Sequence, residues 1–494
     1  MSVTVNENKL ELAKWSKVYI GGEWREGASD KVYTQVNPFT QESISEIRFA
    51  SKEDVDAAYE SAKKVQKEWA KVPAIEKVKI LENAIAVIEK RQNEFVHILI
   101  TEGGGTHFKS QLELLGLATG YMKEAATYPL RMGGEIVPSI IPGKTNNLHR
   151  NPLGVVGVIS PWNFPFHLTM RSVVAALATG NGVVLKPATL TYISGGLIIA
   201  EIFEEAGLPK GLLNVVVGAG SEIGDYIVQH KVPRMISFTG STEVGERIGQ
   251  IAGGKLKKVA LELGGNCAFI VLKDADLNQA ASAAVFGKYT HQGQICMAIN
   301  RILVDREVYA NFVSIFKEKV TKLKPGNPID PETDIGPLIE KRQVDQIVGL
   351  INGAVEAGAK LELEGTVEGN LMTPYILTDV KNEMEIAQTE IFGPVAVIIP
   401  FDTEEEAIAL ANDTVYGLSS SIYTEDKVRG ALLAEEIETG MVHINDQTVN
   451  DEPHIPFGGE KASGLGRFNG KYALEEFTTV KWISVMDKPR GYPY

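Results

Sequence analysis

Val155-Val-Gly-Val-Ile-Ser160 opens a series of short apolar runs that continues with Val183-Val-Leu-Lys186, Asn214-Val-Val-Val217, Met235-Ile-Ser-Phe238 and Val259-Ala-Leu-Glu-Leu263. The runs recur at intervals of roughly 25 residues, and each is followed by helical spacing or a turn signal. Such alternation favours parallel strands buried on both faces and joined by right-handed helical crossovers, so a doubly wound α/β sheet is expected. The helix after Val183–Lys186 has marked ends: Thr191 as N-cap, Ile198, Ile199, Ile202 and Phe203 as its apolar face, and Gly207 with Pro209 as its stop.

Upstream, residues 52–130 read mainly as helices, with Val55, Ala58, Tyr59 and Ala62, then Val78, Leu81, Ile85 and Ile88, at amphipathic spacing. Downstream, a second α/β block spans about 267–460, with strands expected at Phe269–Leu272, Arg301–Val304, Val395–Pro400 and Met441–Asn445. No linker rich in Pro, Gly or Ser separates the blocks and no repeat is present, so they are expected to pack closely around a cleft.

A chain of 494 residues with 44% hydrophobic content has room for two or three full-sized cores. Its net charge of −14 and the lack of any basic stripe argue against a nucleic-acid partner. The only cysteines, Cys267 and Cys296, allow at most one bridge and suit a reducing cytoplasm. Met1–Leu10 lacks an apolar core behind a basic start, and no long apolar run is present, so neither export nor a membrane span is expected. None of the eight histidines shows metal-ligand spacing; His443 and His454 read as loop or packing residues.

Cys296 lies in the polar, glycine-containing stretch Gln292-Gly-Gln-Ile-Cys-Met297, where a thiol can be an exposed nucleophile. Cys267, in a probable core strand, reads as a small buried hydrophobe. Glu262 ends an apolar strand, where desolvation raises a carboxylate's proton affinity and makes it a usable general base. Asn163, in Ser160-Pro-Trp-Asn-Phe-Pro165, follows a buried strand and can point into the cleft beyond it, although an Asn between prolines is usually turn chemistry. The glycine run Gly218-Ala-Gly-Ser-Glu-Ile-Gly224 can begin a helix near a phosphate, but its last glycine is one residue late for the common dinucleotide fingerprint. Phe238-Thr-Gly-Ser-Thr242 pairs a strand end with hydroxyls suited to N-capping and to a pyrophosphate.

Together these segments resemble the aldehyde dehydrogenase superfamily from about residue 18 to 484. Pro161-Trp-Asn-Phe-Pro165, Lys186-Pro-Ala188, Phe238-Thr-Gly-Ser241, Leu261-Glu-Leu-Gly-Gly265, Gly293-Gln-Ile-Cys296, Glu390-Ile-Phe-Gly-Pro394 and Pro456-Phe-Gly-Gly459 stand in the family's order. The resemblance implies a Rossmann-like NAD(P)-binding domain (1–130 and 153–260), an α/β catalytic domain (261–460), and a small oligomerisation arm with the C-terminal tail (131–152 and 461–494). It also implies a homodimer or homotetramer. By the same resemblance Cys296 is the nucleophile, Asn163 an oxyanion donor and Glu262 the base that hydrolyses a thioester. Lys186 and Glu390 then match the ligands of the two cofactor riboses. Ser160, Trp162, Gly220, Gly224, Phe238, Gly240, Ser241 and Phe392 fall in segments that line NAD or NADP. Thr189 stands where many NAD-preferring relatives carry Glu, which removes repulsion of a 2′-phosphate.

The stretch from His443 to Phe457 resembles the benzaldehyde, vanillin and salicylaldehyde dehydrogenase branch. Phe164, Ile295 and Phe457 would give an aromatic aldehyde flat apolar walls, though aromatics are also ordinary core residues. The rival readings are an aliphatic or semialdehyde dehydrogenase, a CoA-acylating enzyme, against which Glu262 argues, and a non-catalytic scaffold, against which intact Cys296, Glu262 and Asn163 argue.

Overall fold

A computed structural model describes residues 12–494; the reading of Met1–Leu10 lies outside them. The five runs form the strands Val155–Ile159, Gly182–Lys186, Leu213–Val215, Met235–Thr239 and Lys258–Glu262. They pair in parallel in the order 213–215, 182–186, 155–159, 235–239, 258–262, so the winding reverses direction beside Val155–Ile159. A crevice opens beyond the carboxyl ends of strands at such a reversal. Antiparallel strands Glu23–Arg25 and Val18–Ile20 extend one edge, and the two-residue strand Gly464–Leu465 closes the other against Glu262.

The helix Lys52–Trp69 starts with a capping box between Ser51 and Asp54, and buries Val55, Ala58, Tyr59 and Ala62, the face read from the sequence. The helix following Gly182–Lys186 departs from expectation. Thr191 does not cap it: Thr189–Thr191 is a short 3₁₀ turn, and the Thr191 hydroxyl is buried without a partner. Its first amides instead donate to a carboxylate from another helix, Ile193 N–H and Ser194 N–H to Glu102 at 2.8 and 2.7 Å. A buried anion therefore satisfies the helix start, where orphan N–H groups and the helix dipole favour negative charge. The expected stop holds, with Gly207 at φ +87 and Leu208 N–H donating to the Phe203 carbonyl.

The second sheet has seven strands, in the order Lys360–Leu363, Tyr375–Thr378, Val395–Phe401, Ile299–Asp305, Cys267–Val271, Ser419–Tyr423 and Met441–Ile444. All neighbours are parallel except the first pair. Ser419–Tyr423 and Tyr375–Thr378 are strands that the apolar pattern did not reveal. A separate three-stranded antiparallel sheet joins Thr478–Met486 to Lys144–Pro152 and Glu135–Val137. Within 461–494 only Thr478–Met486 enters this arm, because Gly464–Leu465 is bound into the first sheet and Leu263 N–H donates to the Ser463 carbonyl. Among the described residues no helix is long and apolar enough to cross a membrane.

Replacing Glu102 with Ala strands two helix-start amides and the Ser194 hydroxyl, all buried. The expected cost is on the order of 3 kcal/mol, seen as a lower Tm in thermal unfolding. An unchanged Tm would show that the cap does not carry this helix.

Candidate active site

The polypeptide leaves the first sheet at Glu262 and enters the second at Cys267, crossing through Leu263–Asn266. Cys267 pairs with Ile299 in register, so the crossing runs beside the segment just before Ile299, which carries Cys296. Contact there is close enough to require glycine. A Cβ on Gly265 would stand 2.1 Å from the Cys296 carbonyl oxygen, and one on Gly264 would stand 2.7 Å from Glu390 Oε2. Gly265 N–H donates to Glu390 Oε1 at 3.0 Å, so one tight crossing gathers Glu262, Cys296 and Glu390.

Cys296 is reached through a reversal after the helix Leu277–Tyr289. His291, Gln292 and Gly293 all have left-handed φ, at 50, 57 and 74, a conformation that costs non-glycine residues energy and clusters at functional sites. The polar stretch read as exposed is instead packed. Gln292 and Gln294 are fully buried, Gln292 donating to the Gly104 and Pro337 carbonyls and Gln294 accepting from Ile339 N–H. Asn163 is buried too, and one of its amide N–H groups donates to the Gln294 carbonyl at 2.9 Å. Its second N–H remains available. Among the described residues the Cys296 N–H donates to no protein acceptor. Two unspent N–H donors therefore lie close to Cys296, the kind of group that stabilises a carbonyl oxygen when its carbon bonds to sulfur.

Cys296 is partly exposed, yet its thiol is largely packed against protein and faces acidic groups. Burial first, then Glu390 and Glu262, push its thiol well above the usual range, with Arg171 opposing. Glu262 is buried, and desolvation pushes it up to about 7 against the lowering effect of Arg171. Its Oε1 has no partner. A carboxylate with that proton affinity exchanges protons readily near neutrality.

Sequence reading missed Arg171 and Asp451, which both act on Glu262. Arg171 lies in the helix Pro165–Ala178, with Nη2 3.7 Å from Glu262 Oε2 and Nη1 3.8 Å from Asp451 Oδ2. Asp451 is held in turn by His167 Nε2 at 3.0 Å and by the Asn469 amide at 2.6 Å. The available signal was the spacing of His167 and Arg171, one helical turn apart within an otherwise apolar helix.

The candidate cofactor residues gather at the crevice. Among the described residues Ser160 Oγ is buried without a partner, the buried Lys186 ammonium reaches only the Pro187 carbonyl at 3.4 Å, and Glu390 accepts only from Gly265. Burial lowers Lys186 to about 8 and raises Glu390 to about 7. Such unspent donors and acceptors suit the hydroxyls of a dinucleotide's riboses. The Cβ positions of Gly220 and Gly224 face open space, and a π-helical turn begins at Gly220, as the glycine run suggested. Phe238 packs its ring on Gly240, while Trp162 meets Phe392 edge-on at 5.4 Å. Thr189 Oγ1 turns toward the Gly218 carbonyl at 3.4 Å. Ser241 occupies the N-cap position of Thr242–Gly253 but makes no capping hydrogen bond. The Thr242 hydroxyl instead bridges the Ala462 carbonyl and Gly264 N–H.

Phe164, Ile295 and Phe457 are buried in one apolar cluster that Cys296 adjoins. Two of the ring faces are already engaged: the Lys109 ammonium lies over Phe164 at 4.4 Å and the Arg171 guanidinium over Phe457 at 4.7 Å.

A thiol, two unspent N–H donors, a buried carboxylate and a polar crevice are what covalent oxidation of a carbonyl group needs. Comparison with known proteins agrees. A benzaldehyde dehydrogenase of Bacillus subtilis (strain 168) is 53% identical over 98% of this chain and 100% of its own length. A vanillin dehydrogenase of Corynebacterium glutamicum is 51% identical over 95% of this chain and 97% of its own. A solved NAD-dependent benzaldehyde dehydrogenase from Corynebacterium glutamicum superposes with a TM-score of 0.89 at 46% identity, covering 97% of this chain and 98% of that one. The aldehyde dehydrogenase family matches residues 24–483, and the chain belongs to that family.

Proposed function

We propose that this chain oxidises an aromatic aldehyde of the benzaldehyde or vanillin type to its carboxylic acid, using NAD or NADP. The meeting of Cys296, Asn163 and Glu262 at one glycine-only crossing carries the chemistry. The aromatic choice is supported by the names of the relatives, and Phe164, Ile295 and Phe457 belong to the apolar core that Cys296 adjoins.

In this reading Cys296 Sγ loses its proton to solvent and, as the thiolate, bonds to the aldehyde carbon, whose carbonyl π bond breaks to leave the oxygen as an alkoxide. The resulting alkoxide lies between the second Asn163 N–H and the Cys296 N–H. The hydride lost from that carbon would pass to a bound nicotinamide dinucleotide, whose riboses Lys186, Glu390 and Ser160 would hold and for whose diphosphate the crevice glycines would leave room. The carbon is left as a thioester on Cys296. Glu262 takes a proton from water, the hydroxide adds to the thioester, and departure of Cys296 frees the acid. We assign Thr189 the role of tolerating a 2′-phosphate. The arm exposes Val480, Trp482, Ile483 and Val485, which we assign to contact with a second copy in a homodimer or homotetramer. The two free thiols fit a cytoplasmic setting.

Initial rates with benzaldehyde, vanillin, and a short and a long aliphatic aldehyde test the substrate. Specificity constants for the aromatic pair should exceed the aliphatic ones by about tenfold or more. The reverse order would keep the mechanism and remove the aromatic assignment. Thr189→Glu should raise KM for NADP by about tenfold or more while changing that for NAD little; unchanged use of NADP would count against the role given to Thr189. Because its surroundings keep the Cys296 thiol protonated, alkylation of the resting enzyme by iodoacetamide should climb about tenfold per pH unit from about pH 7 to 9. A rate already level at neutral pH would show a stabilised thiolate and contradict this picture.

A further inference from the structure

Arg171 is fully buried, and none of its three guanidinium nitrogens has a hydrogen-bond partner. An ion so placed is tolerated only when compensated. Part of the compensation is visible: the guanidinium lies against the rings of Phe457 and Phe468, at 4.7 and 4.3 Å from their centroids. These contacts hold the group in place and leave its N–H groups for anions. Asp451 stands 3.8 Å from Nη1 and Glu262 3.7 Å from Nη2, both beyond hydrogen-bond length. Asp451 is tethered by His167 and Asn469 and cannot close its gap freely. Glu262 has an oxygen without any partner, so a small side-chain rotation would close the other gap.

We propose that Arg171 is a docking post for ionised Glu262, and that Asp451, acting on the same guanidinium, sets how firmly the post holds. Both are positioning residues. Docked, Glu262 is a stable carboxylate withdrawn from Cys296; released, it is free to take a proton from water at the thioester. The proposal rests on the reading of Glu262 as the base. The charged and titratable groups facing Glu262 are Arg171 from the helix, Asp451 from the loop after Met441–Ile444, Arg467 after Gly464–Leu465, and Cys296. Arg171 and Arg467 favour its ionised form, whereas Asp451 and a Cys296 thiolate oppose it.

Opposite signs make the test selective. Glu262 ionisation is followed by infrared difference titration of the full-length enzyme, with Glu262→Gln as the blank, alongside the acid limb of the kcat–pH profile. Arg171→Met should move the Glu262 titration up by about one pH unit or more, Asp451→Asn should move it down, and Arg171→Lys should restore most of the charge effect. A merely structural role shifts the titration the same way in Arg171→Met and Asp451→Asn or leaves it in place, and either result overturns the proposal. Should Arg171→Met fail to fold, Asp451→Asn and Arg171→Lys decide it through the same titration. Turnover that survives in Glu262→Gln would instead remove the base assignment, while the infrared titration would still report on Arg171.

Discussion

No side chain fits at residue 265, since its Cβ would stand 2.1 Å from the Cys296 carbonyl oxygen. The strand ending at Glu262 and the strand beginning at Cys267 can therefore be spliced past the nucleophile only through glycine. Packed interiors shift by small amounts rather than by ångströms, so this approach fixes the base, the nucleophile and Glu390 relative to one another. Both sheets are anchored to that splice. One contributes its last pairing, Glu262 with Gly464, and the other its first, Cys267 with Ile299.

The same splice concentrates buried charge. Glu262, Lys186 and Arg171 are removed from water and Glu390 is half-buried, all with few hydrogen bonds, and burial moves the carboxylates up and the lysine down. Isolated ions in an apolar interior are costly, and their persistence here marks groups reserved for ligand or reaction. The surrounding apolar clusters supply the stability against which that cost is set.

Legibility in the sequence followed the physics of each element. Strands buried on both faces write continuous apolar runs, so Val155–Ile159 and Met235–Thr239 were readable to within a residue. Ser419–Tyr423 was not, because its serines look solvated while Ser419 Oγ in fact donates to the Thr448 carbonyl and Ser421 Oγ to that of Asp446. Glu102 capping a helix far downstream and Asp451 meeting Arg171 are long-range pairings that no local pattern announces. Gln292 and Gln294 misled for a related reason: their polarity signals solvent, yet both are spent on backbone groups that pin the nucleophile's turn. Cys296, Asn163 and Glu262 were read from their local settings and from the order and spacing of the motifs; in the structure Glu262 acts on the Cys296 thiol and Asn163 donates to the Gln294 carbonyl, two residues before Cys296.

The Gly464–Leu465 strand also orders events on the ribosome. Synthesis delivers Glu262 and Cys296 long before Ser463, Gly464, Arg467, Phe468 and Asn469, the residues that seal the sheet edge, stack on Arg171 and tether Asp451. A nascent chain that has emerged only through the second sheet holds its nucleophile beside an unfinished wall and an unclamped guanidinium. Domains tend to fold as they emerge, but this reaction centre cannot be assembled until nearly the whole polypeptide has been translated. The wall at the sheet edge and the clamp on Arg171 are thus the last parts of this centre to be made.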